Sequence, residues 1–564
     1  MKKKYYILFS LFTIILTCNS VAQSTWVWSK QGTSTSDDNV SGICTDKNGD
    51  VYIIGDFGAY FSGSPGLGVI RGASYIHFGN DSVYNNGVNQ IFLVKYNGSN
   101  GNVIWAKGIG ANNPYDHSNP CDDCEKGYRV AYDSVSNSIY ITGTIFGSAT
   151  FGSTTLFGSG DMFLSKLDIN GNFKWTKLIL CYPGGMSNSN ILTDKKGSIY
   201  IAGGGLDSMK FGNNIKIAKG GYVAKYDSSG TCLWAKRQTG TAFNKILLYK
   251  NDIYGIGNNN KDTIVIGTST YTLSASANSH TGIVTRMDSV CNVKWIKFMT
   301  SSQYCGPGCF VNDKVGLYIT GMFLTDITIG ANTFTNTAGN SDMFYVKYDT
   351  SGNLKWAHQA NATNYVGASS MVTDASGKFY VGGGIGGSLT FGSTNFTASS
   401  SLAGFLARFD TSGSCLGVIA GGGYLAEDNA GSVFVTSGFQ YTTTIGSNTY
   451  TAAVTSPPTA DLYVAKHGAI TGIGGRQIGN ANNQLLIYAN PMAGKCNITI
   501  PDDFVNEKNL TLQIFDISGK LLQNAKIEMQ QEKIKLNLEA EAKGTYNVIL
   551  TDGKKSYTGK IIFE

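Results

Sequence analysis

Short runs of β-branched and aromatic residues, broken by polar turn clusters, follow one another along most of the chain. Val51-Tyr52-Ile53-Ile54-Gly55 is typical, and the same apolar run returns around Tyr140, Tyr200, Tyr254, Tyr318, Tyr380 and Phe434. Val, Ile, Tyr and Thr bounded by Gly, Asp, Asn and Ser predict strands joined by tight turns. The expectation is an all-β chain.

The runs belong to a longer repeated phrase. Each apolar strand is followed by Phe-Gly or Ile-Gly, as at Phe78-Gly79, Phe151-Gly152, Phe211-Gly212, Ile266-Gly267, Ile329-Gly330, Phe391-Gly392 and Ile445-Gly446. A further strand then carries a basic residue: Lys95, Lys166, Lys225, Arg286, Lys347, Arg408 or Lys466. Turns such as Asp168-Ile-Asn-Gly171 and Asp349-Thr-Ser-Gly352 come next, where Asp bonds its own backbone and Gly leaves the turn. Trp105, Trp175, Trp234, Trp295 and Trp356 close the first five copies, with Gly417 in that place in the sixth.

The seventh copy lacks its closing strand, and the missing piece lies at the other end of the chain. Thr25-Trp26-Val27-Trp28-Ser29-Lys30 matches Asn102-Val103-Ile104-Trp105-Ala106-Lys107, so Trp28 is the counterpart of Trp105. A linear array has no use for that permutation, whereas a ring does. Four-stranded units around a channel are propeller blades. The predicted fold is therefore a seven-bladed β-propeller over residues 23–467, closed by the N-terminal strand. A Gly/Asn-rich linker follows at 468–484, then a small β-sandwich at 485–564, with strands at 485–489, 496–500, 510–516, 533–538, 545–551 and 557–563.

Composition narrows the function. Of 564 residues, 71 are Gly and 9 are Pro, which excludes collagen, and 42% are hydrophobic, which excludes a disordered chain. The net charge is +6, with Lys2, Lys3 and Lys4 among the cations, too little for a nucleic-acid partner. Those lysines, the apolar stretch Tyr5–Thr17 and Ser20-Val21-Ala22 form a signal peptide over 1–22. No later segment is apolar for long enough to span a bilayer as a helix. Export makes disulfides possible, and Cys121–Cys124 and Cys305–Cys309 are the expected local pairs. A zinc site needs four convergent ligands, and these two pairs are far apart, so no metal and no cofactor are expected.

The repeat resembles the propeller repeats of secreted bacterial proteins known as SBBP repeats. Two enzymatic propeller families fit less well. Sialidase Asp boxes have different Asp-to-Gly and Gly-to-aromatic offsets. Quinoprotein dehydrogenases share Gly-x-x-x-Trp, but their adjacent cysteine pair and calcium carboxylates are not found. Residues 485–564 resemble the type A C-terminal sorting domain of the Bacteroidetes type IX secretion system. Asn490-Pro491, Ile514-Phe515-Asp516-Ile517-Ser518-Gly519-Lys520, Gly544-Thr545-Tyr546-Asn547-Val548 and Gly559-Lys560-Ile561-Ile562-Phe563 carry that likeness. It implies the secretion machinery as partner and a place at the outer cell surface or outside the cell.

Chemistry is sparse. The five histidines show no metal-ligand spacing, and no Gly-x-Ser-x-Gly, HExxH or phosphate-binding loop occurs. The basic strand residues read as part of the repeat, with packed stems and heads at the surface. Aromatics recur after the closing strands, at Tyr115, Tyr182, Phe243, Tyr304, Tyr365 and Tyr424, in connections that share one face. Such rings suit sugar or peptide ligands. The insertion Phe57–Ser74 and the acidic loop holding Asp116, His117, Asp122, Asp123 and Glu125 are expected to raise a lip on that face. The expected function is a monomeric, non-catalytic binder of glycan or peptide. The alternatives are a polysaccharide hydrolase or lyase using the lip carboxylates, and a structural adhesin component.

Overall fold

The computed structural model describes residues 26–58, 75–85, 89–110, 125–181, 185–212, 215–259, 263–272, 281–313, 315–336, 339–374, 376–398, 403–428, 430–454, 458–468, 485–488, 494–500, 504, 510–516, 520–527, 533–552 and 556–563. Every regular element of three residues or more among them is a β-strand. The chain divides into two compact units, Trp26–Gly468 and one that contains Ala469–Glu564.

The larger unit holds seven four-stranded antiparallel meanders among the described residues. Sheet 1 runs Asp38–Thr45, Val51–Phe57, Gln90–Tyr96 and Val103–Ile109. Sheet 2 begins at Lys126–Asp133, sheet 3 at Met186–Thr193, sheet 4 at Thr241–Tyr249, sheet 5 at Cys305–Asn312 and sheet 6 at Val366–Thr373. Sheet 7 combines Tyr424–Glu427, Val433–Phe439 and Asp461–His467 with the N-terminal strand Trp26–Thr33. Trp28 opposes Lys466 and Gly32 opposes Leu462 in that last pairing. The first strands of sheets 1 to 7 lie side by side in numerical order, and that of sheet 7 touches that of sheet 1.

The Phe-Gly phrase stitches neighbouring sheets. In each case it turns a hairpin between the second and third strands. Tyr75–Phe78 and Asp81–Tyr84 of that hairpin in sheet 1 add to the N-terminal strand of sheet 7. The hairpins of sheets 3, 4, 5 and 6 add in the same way to the fourth strands of sheets 2, 3, 4 and 5. Apolar residues on the two faces of each sheet then pack between neighbours. One core joins Trp28, Phe434, Leu462 and Val464 of sheet 7 to Val51, Ile53, Phe92 and Val94 of sheet 1.

The C-terminal unit has two sheets, with Leu486–Tyr488, Lys495–Thr499 and Lys533–Asn537 in one. The other orders Leu521–Ile527, Leu510–Asp516, Gly544–Thr551 and Ser556–Phe563. Both contribute to one core that includes Ile498, Leu536, Ile514, Val548 and Leu550. Leu521–Ile527 is a strand absent from the sequence expectation. It is an edge strand with no fully buried residue, so it lacks the alternation that betrays a half-buried strand.

Candidate functional site

Antiparallel alternation puts the first-to-second and third-to-fourth turns of every meander on one face. The second-to-third and sheet-to-sheet connections fall on the other. The two faces carry different chemistry.

On the turn face, the repeat's residues converge. Asp46 Oδ1 accepts the amides of Asn48 and Asp50, and its Oδ2 accepts the Tyr52 hydroxyl at 2.9 Å. Lys95 Nζ lies 3.2 Å from Asp46 and 5.0 Å from the centroid of the Tyr52 ring. Sheet 5 repeats the arrangement with Asp313, Tyr318 and Lys347, the ion pair closing to 3.1 Å. Lys225–Asp194 and Lys466–Asp428 are looser versions at 3.8 and 3.5 Å. Lys95 and Lys347 are buried, so the expectation that these cations hold their heads at the surface is corrected. A buried cation is retained only with a partner, and the turn Asp supplies it.

The closing tryptophans latch each sheet to the next. The indole N–H of Trp105 donates to Ile169 O and that of Trp175 to Ser228 O, both at 3.2 Å. Trp295 and Trp356 donate to Thr350 O and Thr411 O in the same way. Trp28 Nε1 reaches Gly98 O at 3.2 Å, which links sheet 7 to sheet 1. Trp234 stacks edge-on against Tyr200, 6.2 Å between ring centroids. Trp28 is buried, whereas Trp105 is half-buried, so the N-terminal member of the set is the more enclosed.

At the turn-face mouth of the first strands lies a cavity of about 710 Å³, lined by Tyr249, Asn312, Lys347, Asp313, Asp374, Asp428 and Glu427, among others. Asp374 and Asp428 each accept two turn amides. Among the described residues the Glu427 carboxylate has no such anchor. Burial, then the charges of Asp374 and Asp428, push its carboxyl up to about 8. Residue types alone did not reveal this group, because its acidity depends on neighbours from two sheets.

The opposite face holds the predicted aromatics. Tyr304 is half-buried and Tyr365 is exposed. They occupy matching places, immediately before Cys305 and Val366, which pair with Phe323 and Ile385. A Cβ on Gly306 would come within 2.6 Å of the Tyr304 hydroxyl, and one on Gly367 within 2.8 Å of that of Tyr365. Each ring therefore lies back over the strand that follows it. Phe243 does not belong with them. It sits inside a strand opposite Gly257 and is buried in the core with Tyr200, Ile246 and Ile283. The shorter connection into sheet 4 brings its first strand forward, so equal spacing from tryptophan lands in a different place. Tyr424 also falls within a strand, opposite Thr436, and is half-buried. Tyr115 and Tyr182 lie outside the described residues.

Of the predicted lip, residues 59–74 and Asp116, His117, Cys121, Asp122, Asp123 and Cys124 lie outside the described residues. Glu125 is fully buried, and its carbonyl accepts the Asn89 amide at 2.8 Å, so it is no lip carboxylate. The Cys305–Cys309 pairing is also corrected, because both are free thiols of one strand. Four residues of strand span about 13 Å, well beyond the roughly 4.4–6.8 Å between Cα atoms that a disulfide requires. A bulge between Pro307 and Cys309 further turns the two side chains into different cores.

A feature that sequence reading missed lies just below the aromatic face. In sheets 1 to 6 the first strand carries a bulge, and the residue after it is Gly42, Arg129, Asn190, Lys245, Cys309 or Ser370. Each pairs with the residue two beyond the second-strand Tyr, and Tyr424 does so relative to Phe434. Seven residues thus share one level. Arg129 Nη1 donates to Ser41 O at 2.6 Å and to Tyr128 O at 2.7 Å, and its guanidinium lies 5.5 Å from the Tyr424 ring centroid. The Lys245 side chain makes no hydrogen bond or ion pair among the described residues. Burial, and to a lesser degree the charge of Arg129, lower its pKa.

Comparison with known proteins bears on the tail. Residues 486–564 match the family described as the secretion system C-terminal sorting domain. The tail is a type IX sorting domain. It engages the secretion machinery, and the protein is destined for the cell surface or the extracellular space. No helix among the described residues is long and apolar enough to cross a membrane. The sorting domain says nothing of the larger unit's ligand. No curated protein matches the chain. Among solved structures, a tryptophan variant of Synechocystis apocarotenoid oxygenase has 11% identity and TM-score 0.28, covering 72% of this chain and 94% of its own. A GH43 β-1,3-galactosidase has 11% identity and TM-score 0.27, with coverages of 81% and 97%. A DUF4221 member from Bacteroides vulgatus has 8% identity and TM-score 0.25, with coverages of 78% and 98%. None of these likenesses is close enough to bear on activity.

Proposed function

We propose that residues 23–467 are a seven-bladed β-propeller of the SBBP-repeat kind, closed by the N-terminal strand. A signal peptide at 1–22, a linker at 468–484 and the sorting domain at 485–564 complete the chain. In this reading the protein is a monomeric, non-catalytic binder of glycan or peptide at the outer cell surface. The matched pair Tyr304 and Tyr365 carries the reading. Both rings stand in sheet-to-sheet connections, and neither is fully buried. Rigid amphipathic rings of this kind bind sugar faces at little entropic cost. The test is a glycan array probed with the purified mature protein and with a Tyr304→Ala/Tyr365→Ala variant. Binding that falls at least tenfold at unchanged melting temperature supports the reading, and equal binding by both proteins sinks it.

One observation favours a second reading. Glu427, with its raised pKa in a cavity, has the protonation expected of a general acid. In that reading the hydrolase site lies on the turn face rather than at the lip. Polysaccharide cleavage abolished by Glu427→Gln would establish it in place of the first.

A further inference from the structure

Arg129 and Lys245 stand at one level of the first strands, in sheets 2 and 4, and the residue at that level in the intervening sheet 3 is Asn190. None of the seven residues at this level is acidic. Among the described residues Lys245 has no carboxylate partner, and the ionisable groups that act on its ammonium are the Cys309 thiol and Arg129. This separates it from the cations of the turn face, where Lys95 and Lys347 are each paired with Asp. The Asn190 side chain is buried, and among the described residues its Oδ1 has no hydrogen-bond partner. Turned about its terminal bond, that amide would present N–H groups in place of the oxygen, since the two orientations fill the same space.

Lys245, a cation with no carboxylate partner among the described residues, lowers stability unless something compensates it. An anion does so with one group. Arg129 offers a planar fork, already oriented by Ser41 O and Tyr128 O, while Lys245 contributes a point charge and Asn190 a neutral donor. Tyr424, against the guanidinium, closes the same level with an aromatic wall. We propose that the space enclosed by the first strands binds an anionic group, a carboxylate or a sulfate, between Arg129, Asn190 and Lys245. The ligand would then be an acidic glycan whose charged group enters here while its body rests on Tyr304 and Tyr365. The proposal rests on the propeller reading and names the ligand class for it.

Equilibrium dialysis of the mature protein with radiolabelled sulfate, and separately with trigalacturonate, at constant ionic strength tests it. Saturable binding of one equivalent is expected. Lys245→Met should weaken it at least tenfold, and Lys245→Arg should restore most of it. Lys245→Met removes an unpaired cation and keeps the stem, so the variant folds at least as well as the parent, and its melting temperature checks this. Tyr304→Ala/Tyr365→Ala should leave sulfate binding intact while weakening trigalacturonate. Sulfate and trigalacturonate binding equal in the parent and Lys245→Met, or absent from the parent, overturns the proposal. Neutral glycans that bind through the tyrosines without Lys245 leave the binding reading standing and remove the anion site. Sulfate bound through Lys245 with no glycan or peptide recognised does the reverse.

Discussion

Gly101 and Trp28 touch across the join between the last sheet and the first. The glycine has φ +73°, and a Cβ there would come within 2.6 Å of the indole. The backbone conformation and the missing side chain are both required, the first by the turn and the second by the ring. Trp28→Ala would remove a buried aromatic and its bond to Gly98, costing about 3–5 kcal/mol. Urea denaturation measures this, and a loss below about 1 kcal/mol would mean that the join relaxes without the ring. Glu427 makes a residue-scale prediction about pH. Its folded pKa of about 8 lies above the ordinary value of 4.5. The folded state therefore holds the proton more tightly, and stability is lost as pH rises between those values. Glu427→Gln should flatten that slope and stabilise the protein relative to wild type at pH 8 to 9. Urea midpoints collected from pH 4.5 to 9 decide it, and parallel profiles for the two proteins across that range would show that Glu427 ionises freely.

At the scale of elements, the hairpin and the N-terminal strand do related work. The hairpins of sheets 1, 3, 4, 5 and 6 lend their strands to the neighbouring sheet, so an edge that would otherwise stand open is paired. The strand Trp26–Thr33 is bonded on both sides, by Asp461–His467 and by the hairpin that begins at Tyr75. Lys30 lies in the middle of its ladder, opposite Val464. Lys30→Pro removes a ladder donor and is expected to cost about 1–3 kcal/mol. Hydrogen exchange should then speed up in sheets 1 and 7 together, because both share the core around Trp28. Faster exchange confined to residues 26–33 would show that the strand frays alone and does not secure the join.

For the whole molecule, the sorting domain separates destination from binding. Its core draws on its own two sheets, and the larger unit has cores of its own. Removing residues 485–564 is expected to leave the larger unit folded but held in the periplasm. Cell fractionation with protease protection tests this. Truncated protein at the surface in normal amounts would mean that another signal directs export.

Much of the architecture is legible without coordinates. Strand positions follow from short runs of β-branched and aromatic residues between turn clusters, and the sorting domain from motifs spread over its length. The pairing of residues 26–30 with sheet 7 follows from a Trp phrase displaced to the wrong end of the chain. These features are local patterns or repeated ones, which a linear reading can count. What the sequence does not contain is register between strands distant along the chain. One bulge decides that Cys305 and Cys309 point into different cores, and a shorter connection decides that Phe243 is core while Tyr304 and Tyr365 are not. The buried ion pairs under Tyr52 and Tyr318 join residues far apart in the repeat. Arg129 and Lys245 occur in strands with no shared motif and come to one level only because seven strands stand side by side. Burial and charge add over neighbours in space, so the acidity of Glu427 and the isolation of Lys245 were decided by the tertiary structure alone.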